Sequence, residues 1–323
     1  GSANGVTVGQ SSGGSGTLTV SGASFASSGL LTVGDAGLGV LRVLAGGTLS
    51  TTADALSGTA AIFGATNVGL GLLNGATVVW NVGGGLVVGG QGIGTLNITD
   101  GAFVNAGTFD VTLGAESGGS GDVTVGGGDA RLVGGTLSIA NAIGQDSFGT
   151  LTIQSGGTVQ VLSATIGTGG VLAMQGGLLD PPLVTIGVGG QITGFGTVEA
   201  TSLVNSGMIS ATGGLLRLSG NVSGSGTLDV DNDGSLQVDG FLSGSAVNFG
   251  NGFGQSLILQ TPGSTFDTAI NSLFTGDRLG FNFGTGVSII GANVAGSVLT
   301  LLRSDSLTYE LTDVEFDVGT ADG

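Results

Sequence analysis

The chain has 323 residues, with 71 glycines, 3 prolines, no cysteine and no histidine, and its formal net charge at pH 7 is −17. The lack of cysteine and histidine excludes disulfides, and it excludes metal sites and catalytic triads built on those side chains. Lysine and arginine together number only 5, all of them arginine, so the charge argues against partners such as nucleic acid or anionic membrane surfaces. Since 40% of the residues are hydrophobic and the mean hydropathy is +0.50, the composition predicts a folded chain.

A repeating unit begins near residue 5 and gives the first predicted elements. An apolar run that ends in glycine is followed by four to six residues and then by a stretch of the type Gly-Thr-Leu-x-Val. The first glycine of the unit recurs at Gly9, Gly34, Gly64, Gly89, Gly114 and Gly144, in steps of 25 or 30 residues. The second glycine recurs at Gly16, Gly39, Gly71, Gly94, Gly121 and Gly149. Strand-forming repeats of this length are typical of a solenoid in which three short strands and three turns make one coil.

The repeat predicts an all-β fold, a right-handed parallel β-helix whose side chains stack from coil to coil. Alternate side chains of a strand point to opposite faces, so like positions should form ladders. The first inward ladder is predicted to contain Leu18, Leu41, Leu73, Leu96, Val123 and Leu151. The second is predicted to contain Val20, Val43, Ile98, Val125 and Ile153, with Gly75 as a gap. The outward positions are Thr19, Arg42, Asn74, Asn97, Thr124 and Thr152. We expect the glycines at corners, where φ is positive or two coils approach closely.

Less regular copies of the unit continue to about residue 250. Residues 1–250 are therefore predicted to form the β-helix, with roughly nine or ten coils. The stretch from Gly5 to Gly9 is already in register with the repeat. We expect this first coil to be uncapped and to dock on another copy, which would give self-association into head-to-tail stacks.

Residues 251–323 have a different texture and are predicted to form a C-terminal β-rich cap. Glycine thins, phenylalanines cluster, and the only tyrosine, Tyr309, appears. Such a cap would cover the last coil, because an open sheet edge is prone to pairing. The uncharged span from Leu279 to Leu302 is long enough to consider as a membrane helix. Its asparagines, glycines, serines and threonines favour paired strands instead, so we expect no membrane insertion.

One candidate metal site precedes the cap. Asp229, Asp231 and Asp233 form a D-x-D-x-D-G run, and calcium loops use this spacing because alternate carboxylates can converge on one cation. The twelfth position is Gly240, where an EF-hand has glutamate, so the match is incomplete. A solvated strand followed by an Asn-Asp-Gly turn is the alternative. Apart from calcium at these aspartates, the sequence suggests no cofactor.

The distribution of charged residues does not favour an active site. The basic residues of the repeat that are expected to lack a carboxylate partner in register are Arg42, Arg131 and Arg217. Gln91, Glu116 and Asp146 share a turn position and predict a weak acidic stripe. Glycoside hydrolysis needs two carboxylates across one sugar bond, and no convincing pair is present, so we expect no enzyme and no catalytic residues. A carbohydrate-binding or carbohydrate-cleaving β-helix is the alternative, and a purely mechanical spacer is a second one.

The repeat resembles the β-strand repeats in the passenger regions of bacterial autotransporters and related surface adhesins. The clearest copies are at Val8–Gly22, Val88–Gly101 and Ile143–Gly157. The stretch GDRLGF…AGSVLTLLRSDSLTYEL, which begins at Gly276, is similar to modules that follow such repeats in secreted bacterial proteins. The resemblance implies an extracellular location, on the cell surface or secreted, and a role in adhesion, biofilm or surface structure, with surface glycans among the partners. We expect a non-enzymatic structural or adhesive surface protein, a rigid β-helical rod that stacks into filaments or a surface layer.

Overall fold

The computed structural model describes residues 1–51, 59–63, 68–75, 77–140, 146–250, 252, 254–262 and 268–316. The regular secondary structure in these ranges consists of β-strands only. The strands stack in parallel as a β-solenoid of about 11 turns. The predicted all-β parallel solenoid is thereby confirmed. The chain divides into two compact units, Gly1–Gly190 and Gln191–Gly323.

The first unit contains twenty short strands. They are β1 (Ser2–Ala3), β2 (Val6–Val8), β3 (Ser15–Ser21), β4 (Ser24–Ser27), β5 (Leu31–Val33), β6 (Leu38–Leu44), β7 (Thr48–Thr51), β8 (Thr59–Phe63), β9 (Val68–Asn74), β10 (Val79–Val82), β11 (Gly85–Val88), β12 (Ile93–Thr99), β13 (Phe103–Asn105), β14 (Val111–Leu113), β15 (Ser120–Gly126), β16 (Arg131–Ile139), β17 (Phe148–Gln154), β18 (Thr158–Ile166), β19 (Gly170–Asp180) and β20 (Leu183–Ile186).

Parallel pairing arranges these strands in three faces. Face 1 contains β3, β6, β9, β12, β15, β17 and the first part of β19. Face 2 contains β1, β4, β7, β10, β13, the first parts of β16 and β18, and the last part of β19. Face 3 contains β2, β5, β8, β11, β14, the last parts of β16 and β18, and β20. Each coil therefore contributes one strand segment to each face.

The inward ladders of face 1 form as predicted in most coils. Leu18 pairs with Leu41, and Leu96 pairs with Val123, which pairs with Leu151. All of these side chains are buried except that of Leu18, which is half-buried. The hydrophobic core thus runs along the inside of the coil, where the stacked leucines and valines are removed from contact with water.

The third repeat differs from the prediction by two residues. Gly71 lies opposite Leu41 and Leu96, so the gap in the first ladder is Gly71, and the predicted gap at Gly75 is wrong. Leu73 belongs to the second ladder, between Val43 and Ile98. The sequence Val-Gly-Leu-Gly-Leu-Leu offers two glycines for one corner, and a shift of two residues keeps the inward and outward alternation.

The shift also moves the outward positions and the corner of that coil. Leu72 pairs with Asn97 in the position predicted for Asn74, and Asn74 pairs with Thr99. Gly69 pairs with Gly39 and with Gly94, so Gly69 and not Gly71 is the second glycine of the unit. The apolar pattern alone allows two registers for β9, and the alignment of the corner glycine Gly69 with Gly39 and Gly94 selects one of them.

Two glycines of neighbouring coils show why the corners need this residue. Gly89 has φ +73°, and a β-carbon there would collide with the carbonyl of Ser120 on the next coil. Gly121 has no room for a β-carbon because the carbonyl oxygen of Val88 on the preceding coil occupies that space. Both predicted reasons for glycine are therefore present. Gly64 and Gly144, two of the predicted first glycines, lie outside the described residues.

Trp80 anchors face 2 from inside the coil. Its side chain on β10 is fully buried and pairs in register with Leu49 and Val104. The indole Nε1 donates a hydrogen bond to Thr51 Oγ1 at 3.1 Å. A buried indole N–H needs such a partner, and the bond ties the coil of β10 to the coil before it.

The second unit contains the remaining strands. They are β21 (Gln191–Val198), β22 (Ser202–Asn205), β23 (Met208–Leu218), β24 (Asn221–Ser223), β25 (Thr227–Asp231), β26 (Ser235–Val238), β27 (Ala246–Phe249), β28 (Ser256–Leu259), β29 (Ile270–Leu273), β30 (Arg278–Phe281), β31 (Ile289–Ala295), β32 (Val298–Arg303), β33 (Thr308–Leu311) and β34 (Val314–Phe316).

Parallel coils continue past residue 250, where the sequence placed the end of the β-helix. β27 pairs with β29, β28 pairs with β30, and β34 pairs with β29, all in parallel. Between β30 and β34 the chain forms a separate antiparallel sheet in the order β31-β32-β33. The span from Leu279 to Leu302 therefore contains paired strands joined by turns, as predicted. No helix in the described ranges is long and apolar enough to cross a membrane.

Tyr309 of the antiparallel sheet packs against two phenylalanines, one at the end of β30 and one just after it. Leu299, Leu301 and Tyr309 are buried on one face of the sheet. The ring of Tyr309 lies 5.8 Å from that of Phe281 and 5.1 Å from that of Phe283, between centroids. Tyr309 Oη also donates to the carbonyl of Pro262 at 2.6 Å. The described residues after 250 thus contain parallel coil together with a separate antiparallel sheet.

Candidate functional surfaces

The three aspartates of the predicted calcium site lie at the end of β25 and in the turn after it. Asp229 and Asp231 point to the same outward side, because Val230 between them is buried. Asp233 lies in the following turn with φ +60°, directly after Asn232 with φ +48°. Two successive left-handed residues before Gly234 form a tight turn, and asparagine and aspartate tolerate this conformation better than most residues.

Two of these carboxylates make contacts with the next coil. Asp229 Oδ1 accepts a hydrogen bond from Asn248 Nδ2 at 2.7 Å, and Asn248 Oδ1 accepts one from Asn271 Nδ2 at 2.8 Å. We call these three residues the acid–amide ladder. The carboxylate of Asp231 lies against Gly250, with a side-chain oxygen where a β-carbon of that glycine would be.

The structure does not bring the three aspartates together around one point. Among the described residues, no group of three or more acidic, histidine or cysteine side chains has an arrangement that could hold a metal ion. The calcium site stays a prediction from the sequence pattern. Isothermal titration of chelator-treated protein with Ca²⁺ tests it, and a flat trace would remove the site.

The surroundings of Asp231 change the pKa of its carboxyl group. Burial raises the pKa of the Asp231 carboxyl above its ordinary value of 3.8, and the nearby charge of Asp229 raises that pKa further. The ionised form of Asp231 is therefore disfavoured in the folded chain relative to the unfolded chain.

A second ladder of polar side chains crosses face 2 of the first unit. The guanidinium of Arg131 lies 5.7 Å from the ring centroid of Phe103 on the preceding coil. Arg131 Nη2 donates to Gln160 Oε1 at 3.3 Å, and Gln160 Nε2 donates to Asp180 Oδ2 at 3.2 Å. Four successive coils are thus linked on their outer surface. The partners of Arg131 in this ladder are the aromatic ring of Phe103 and the side-chain amide of Gln160.

No carboxylate stands opposite Arg217 in register, but Arg217 forms an ion pair with a diagonal neighbour, Asp239. Its guanidinium lies 2.6 Å from Asp239 Oδ2, and Gln237 Nε2 donates to Asp239 Oδ1 at 2.7 Å. In register Arg217 pairs with Gln237, and Asp239 is two residues further along the same side. The arginine side chain is long enough to reach this diagonal neighbour. The prediction from the sequence considered only residues directly opposite each other on neighbouring coils, so it did not include this pair.

The predicted acidic stripe is present in part. Gln91 Nε2 donates to Glu116 Oε2 at 2.6 Å, one coil further on. Asp146 takes part through its backbone, since its carbonyl accepts the N–H of Gly118 at 2.9 Å. These contacts are a third instance of polar side chains bonded along the coil axis.

An apolar column lies on the outside of face 1. Its members are Leu38, Ile93 and Phe148, whose side chains are 51%, 51% and 58% exposed. Each stands directly before the second glycine of its unit, and Ser120 lies between Ile93 and Phe148 in register. Sequence reasoning missed this column because it concentrated on the residues after that glycine.

An acidic cleft of about 430 Å³ lies in the second unit. Its lining includes Gly296, Ser297 and Val314, together with Asp313 and Glu315. Both acidic residues are exposed, and the backbone N–H of Val314 between them donates to the carbonyl of Ser297 at 2.9 Å. The cleft therefore places two carboxylates of the C-terminal segment at one surface depression.

The fold and these surfaces define a parallel β-solenoid with polar ladders on its outside and an antiparallel sheet in its C-terminal unit. No family model, no curated protein and no solved structure matches this chain.

The residues that sequence reasoning missed are the partners on neighbouring coils. Asn248 and Asn271 complete the acid–amide ladder, and Asp239 completes the ion pair with Arg217. Asn248 lies 19 residues after Asp229, and Asn271 lies 23 residues after Asn248. A search for polar residues between apolar ones at intervals of about one coil would have found them.

Proposed function

We propose that this chain is a non-enzymatic structural and adhesive element of a bacterial cell surface, exported from the cell and assembled with further copies of itself. The observation that carries the proposal is the bonding of outward polar side chains from coil to coil. It occurs on face 2 of the first unit through Arg131, Gln160 and Asp180, and in the second unit through the acid–amide ladder.

These ladders support a mechanical role because their bonds run along the direction in which the coils stack. Each hydrogen bond contributes about 0.5–1.5 kcal/mol to stability, and more where one partner is charged. Bonds of this kind resist the separation of neighbouring coils under load. Trp80 does the same inside the coil through its bond to Thr51.

The apolar column supports the adhesive part of the proposal over the alternative of a purely mechanical spacer. Leu38, Ile93 and Phe148 are exposed at equivalent positions of this face, and Ser120 separates Ile93 from Phe148. Exposed apolar side chains grouped on one face are a feature of binding surfaces. The extracellular setting is supported by the absence of cysteine and by the resemblance of the repeat to surface adhesins.

The proposal is tested on cells and on the purified protein. An antibody against the folded chain should label intact, unpermeabilised cells of the source organism, and purified protein should bind to abiotic surfaces or glycan arrays. Negative-stain images over a range of concentrations should show assemblies. Labelling only after permeabilisation would contradict the surface location, and dispersed monomers that bind no surface would contradict the adhesive role.

A second candidate function, carbohydrate cleavage, is favoured by the acidic cleft. Asp313 and Glu315 provide two carboxylates at one depression, and glycosidases use such a pair. Release of reducing sugar from surface polysaccharides that is lost in Asp313→Asn and Glu315→Gln would support this candidate. No release from a broad polysaccharide panel would leave the structural role.

A further inference from the structure

Strand β31 is the most exposed strand of the second unit. Six of its seven residues are exposed and the seventh is half-buried. Ile290 and Val294 are 68% and 50% exposed, which is unusual for large apolar side chains in a strand. β31 lies at one edge of the antiparallel sheet, and among the described strands it pairs only with β32.

The apolar face of that sheet continues onto β31 but is covered only on its neighbours. Ala292 pairs with Leu301 and Val294 pairs with Leu299, so these side chains lie on the same face. Leu299 and Leu301 are buried there, whereas Ala292 and Val294 are exposed. One face of the sheet is therefore packed along β32 and β33 and bare along β31.

Charge indicates what can cover this strand. The chain carries a net charge of −17, which opposes the approach of a second copy over most of its surface. No charged residue occurs from Leu279 to Leu302, so β31 itself adds no charge repulsion to a contact between two copies. The open edge of a strand also presents unpaired N–H and C=O groups that can bond a further strand.

The sequence of β31 is suited to pairing with itself. β31 has a bulge against β32 at Ile290, between Ile289 and Gly291. In an antiparallel pair with a twofold axis at Ala292, Gly291 faces Asn293 of the second copy, and Ile290 at the bulge faces Val294. Every pair in this register is uncharged, and the small residues at the centre allow the two strands to approach. An isologous contact of this type closes after two copies.

We propose that β31 pairs antiparallel with β31 of a second copy of this chain, with Ala292 opposite Ala292 and Ile290 opposite Val294. The pairing extends the antiparallel sheet from three strands to six across the two copies and occupies the open edge of β31. This inference rests on the proposed function, since it supplies a contact for the self-association proposed there.

The first experiment uses the absence of cysteine from the chain. Ala292→Cys places one thiol at the twofold axis, and residues directly opposite in an antiparallel pair are within reach of a disulfide. Mild oxidation of this variant should give a covalent dimer. Thr308→Cys is the matched control, because Thr308 is an exposed, uncharged residue on β33 at the other edge of the same sheet. Equal cross-linking of the two variants, or none at Ala292→Cys, would overturn the pairing.

The second experiment tests the register. Ile290→Asp and Val294→Lys each place a charge opposite an apolar residue of the second copy, so each should lower the dimer fraction in sedimentation at least severalfold. The double variant places the new aspartate opposite the new lysine and should restore the dimer. Circular dichroism and melting curves confirm that the variants fold, and a double variant that dimerises no better than the single ones would contradict this register.

Failure of this inference and failure of the proposed function give different results. If the antibody labels intact cells but the Ala292→Cys variant does not cross-link, only the β31 contact is overturned. Cross-linking of the purified protein at Ala292→Cys, together with cells that are not labelled, would overturn the surface role and leave the contact.

Discussion

The carboxylate of Asp231 occupies the space in which any side chain at Gly250 on the next coil would have to lie. The same glycine donates its backbone N–H to the carbonyl of Val230 at 3.0 Å, so it cannot move away without loss of a ladder bond. Gly250→Ala should therefore destabilise the second unit by about 1–3 kcal/mol, as overpacking does elsewhere. Chemical denaturation measures the loss.

Two variants make this prediction specific. Asp231→Ala removes the obstructing carboxylate, so the cost of Gly250→Ala should be much smaller in that background. Gly280→Ala is the matched control, because a β-carbon at Gly280 meets only Ile258, at ordinary contact distances of 3.5 Å and more. An equal cost with and without Asp231 would show that the contact is not the cause.

The raised pKa of Asp231 predicts a pH dependence of stability. A carboxyl group whose pKa is higher in the folded chain binds its proton more tightly there than in the unfolded chain. Its contribution to stability is therefore present at a pH below its pKa in the unfolded chain, near 3.8, and is lost as the pH rises through its pKa in the folded chain. Asp231→Asn should therefore be more stable than the wild type at pH 7, with a gap that narrows as pH falls toward 4. Unfolding curves between pH 4 and 7 measure this gap.

Asp233→Asn is the control for the removal of one negative charge. Asp233 lies in the exposed turn with φ +60°, and asparagine accepts that backbone conformation. Its effect on stability should be smaller, because the side chain at this position is exposed. A gap for Asp231→Asn that stays constant over this pH range would contradict the role of ionisation.

The sequence predicted the coil well where its residues repeat and poorly where partners lie on neighbouring coils. The leucine ladder and the corner glycines follow from a local pattern that each unit carries by itself. The shift at Gly71, by contrast, depends on which of two glycines meets Gly39 and Gly94 across the coil. The contacts of Arg217 and Asp229 likewise depend on side chains about one coil away, at spacings that vary.

The inward ladder predicts a sharp contrast between adjacent positions of β12. Leu96 is fully buried between Gly71 and Val123, whereas Asn97 points outward. Leu96→Ala should cost about 2–5 kcal/mol of unfolding free energy, because it removes buried methyl groups and leaves a cavity. Asn97→Ala should change stability by only about 0.5 kcal/mol. Similar losses at both positions, measured by denaturant titration, would contradict the assignment of inside and outside.

The apolar column predicts adsorption to hydrophobic surfaces. A triple variant with serine at Leu38, Ile93 and Phe148 should bind severalfold less to alkyl-coated sensors in a quartz crystal microbalance, because it removes three exposed apolar side chains from face 1. Binding to hydroxyl-coated sensors should change little. The control variant carries serine at the outward polar positions Thr19, Asn97 and Thr152. A control that loses as much binding as the column variant would show that the column is not the contact surface.

The pairing of Ile93 with Ser120 has a consequence for how such a chain changes in length. Residues 93–119 are one whole circuit of the three faces, so their excision would join Gly92 to Ser120 with every remaining strand still opposite an equivalent partner. Unequal recombination between repeats in the gene would produce such excisions and duplications directly. Length is then a trait that evolution can adjust in increments of about 4.8 Å, without the invention of a new fold at each step.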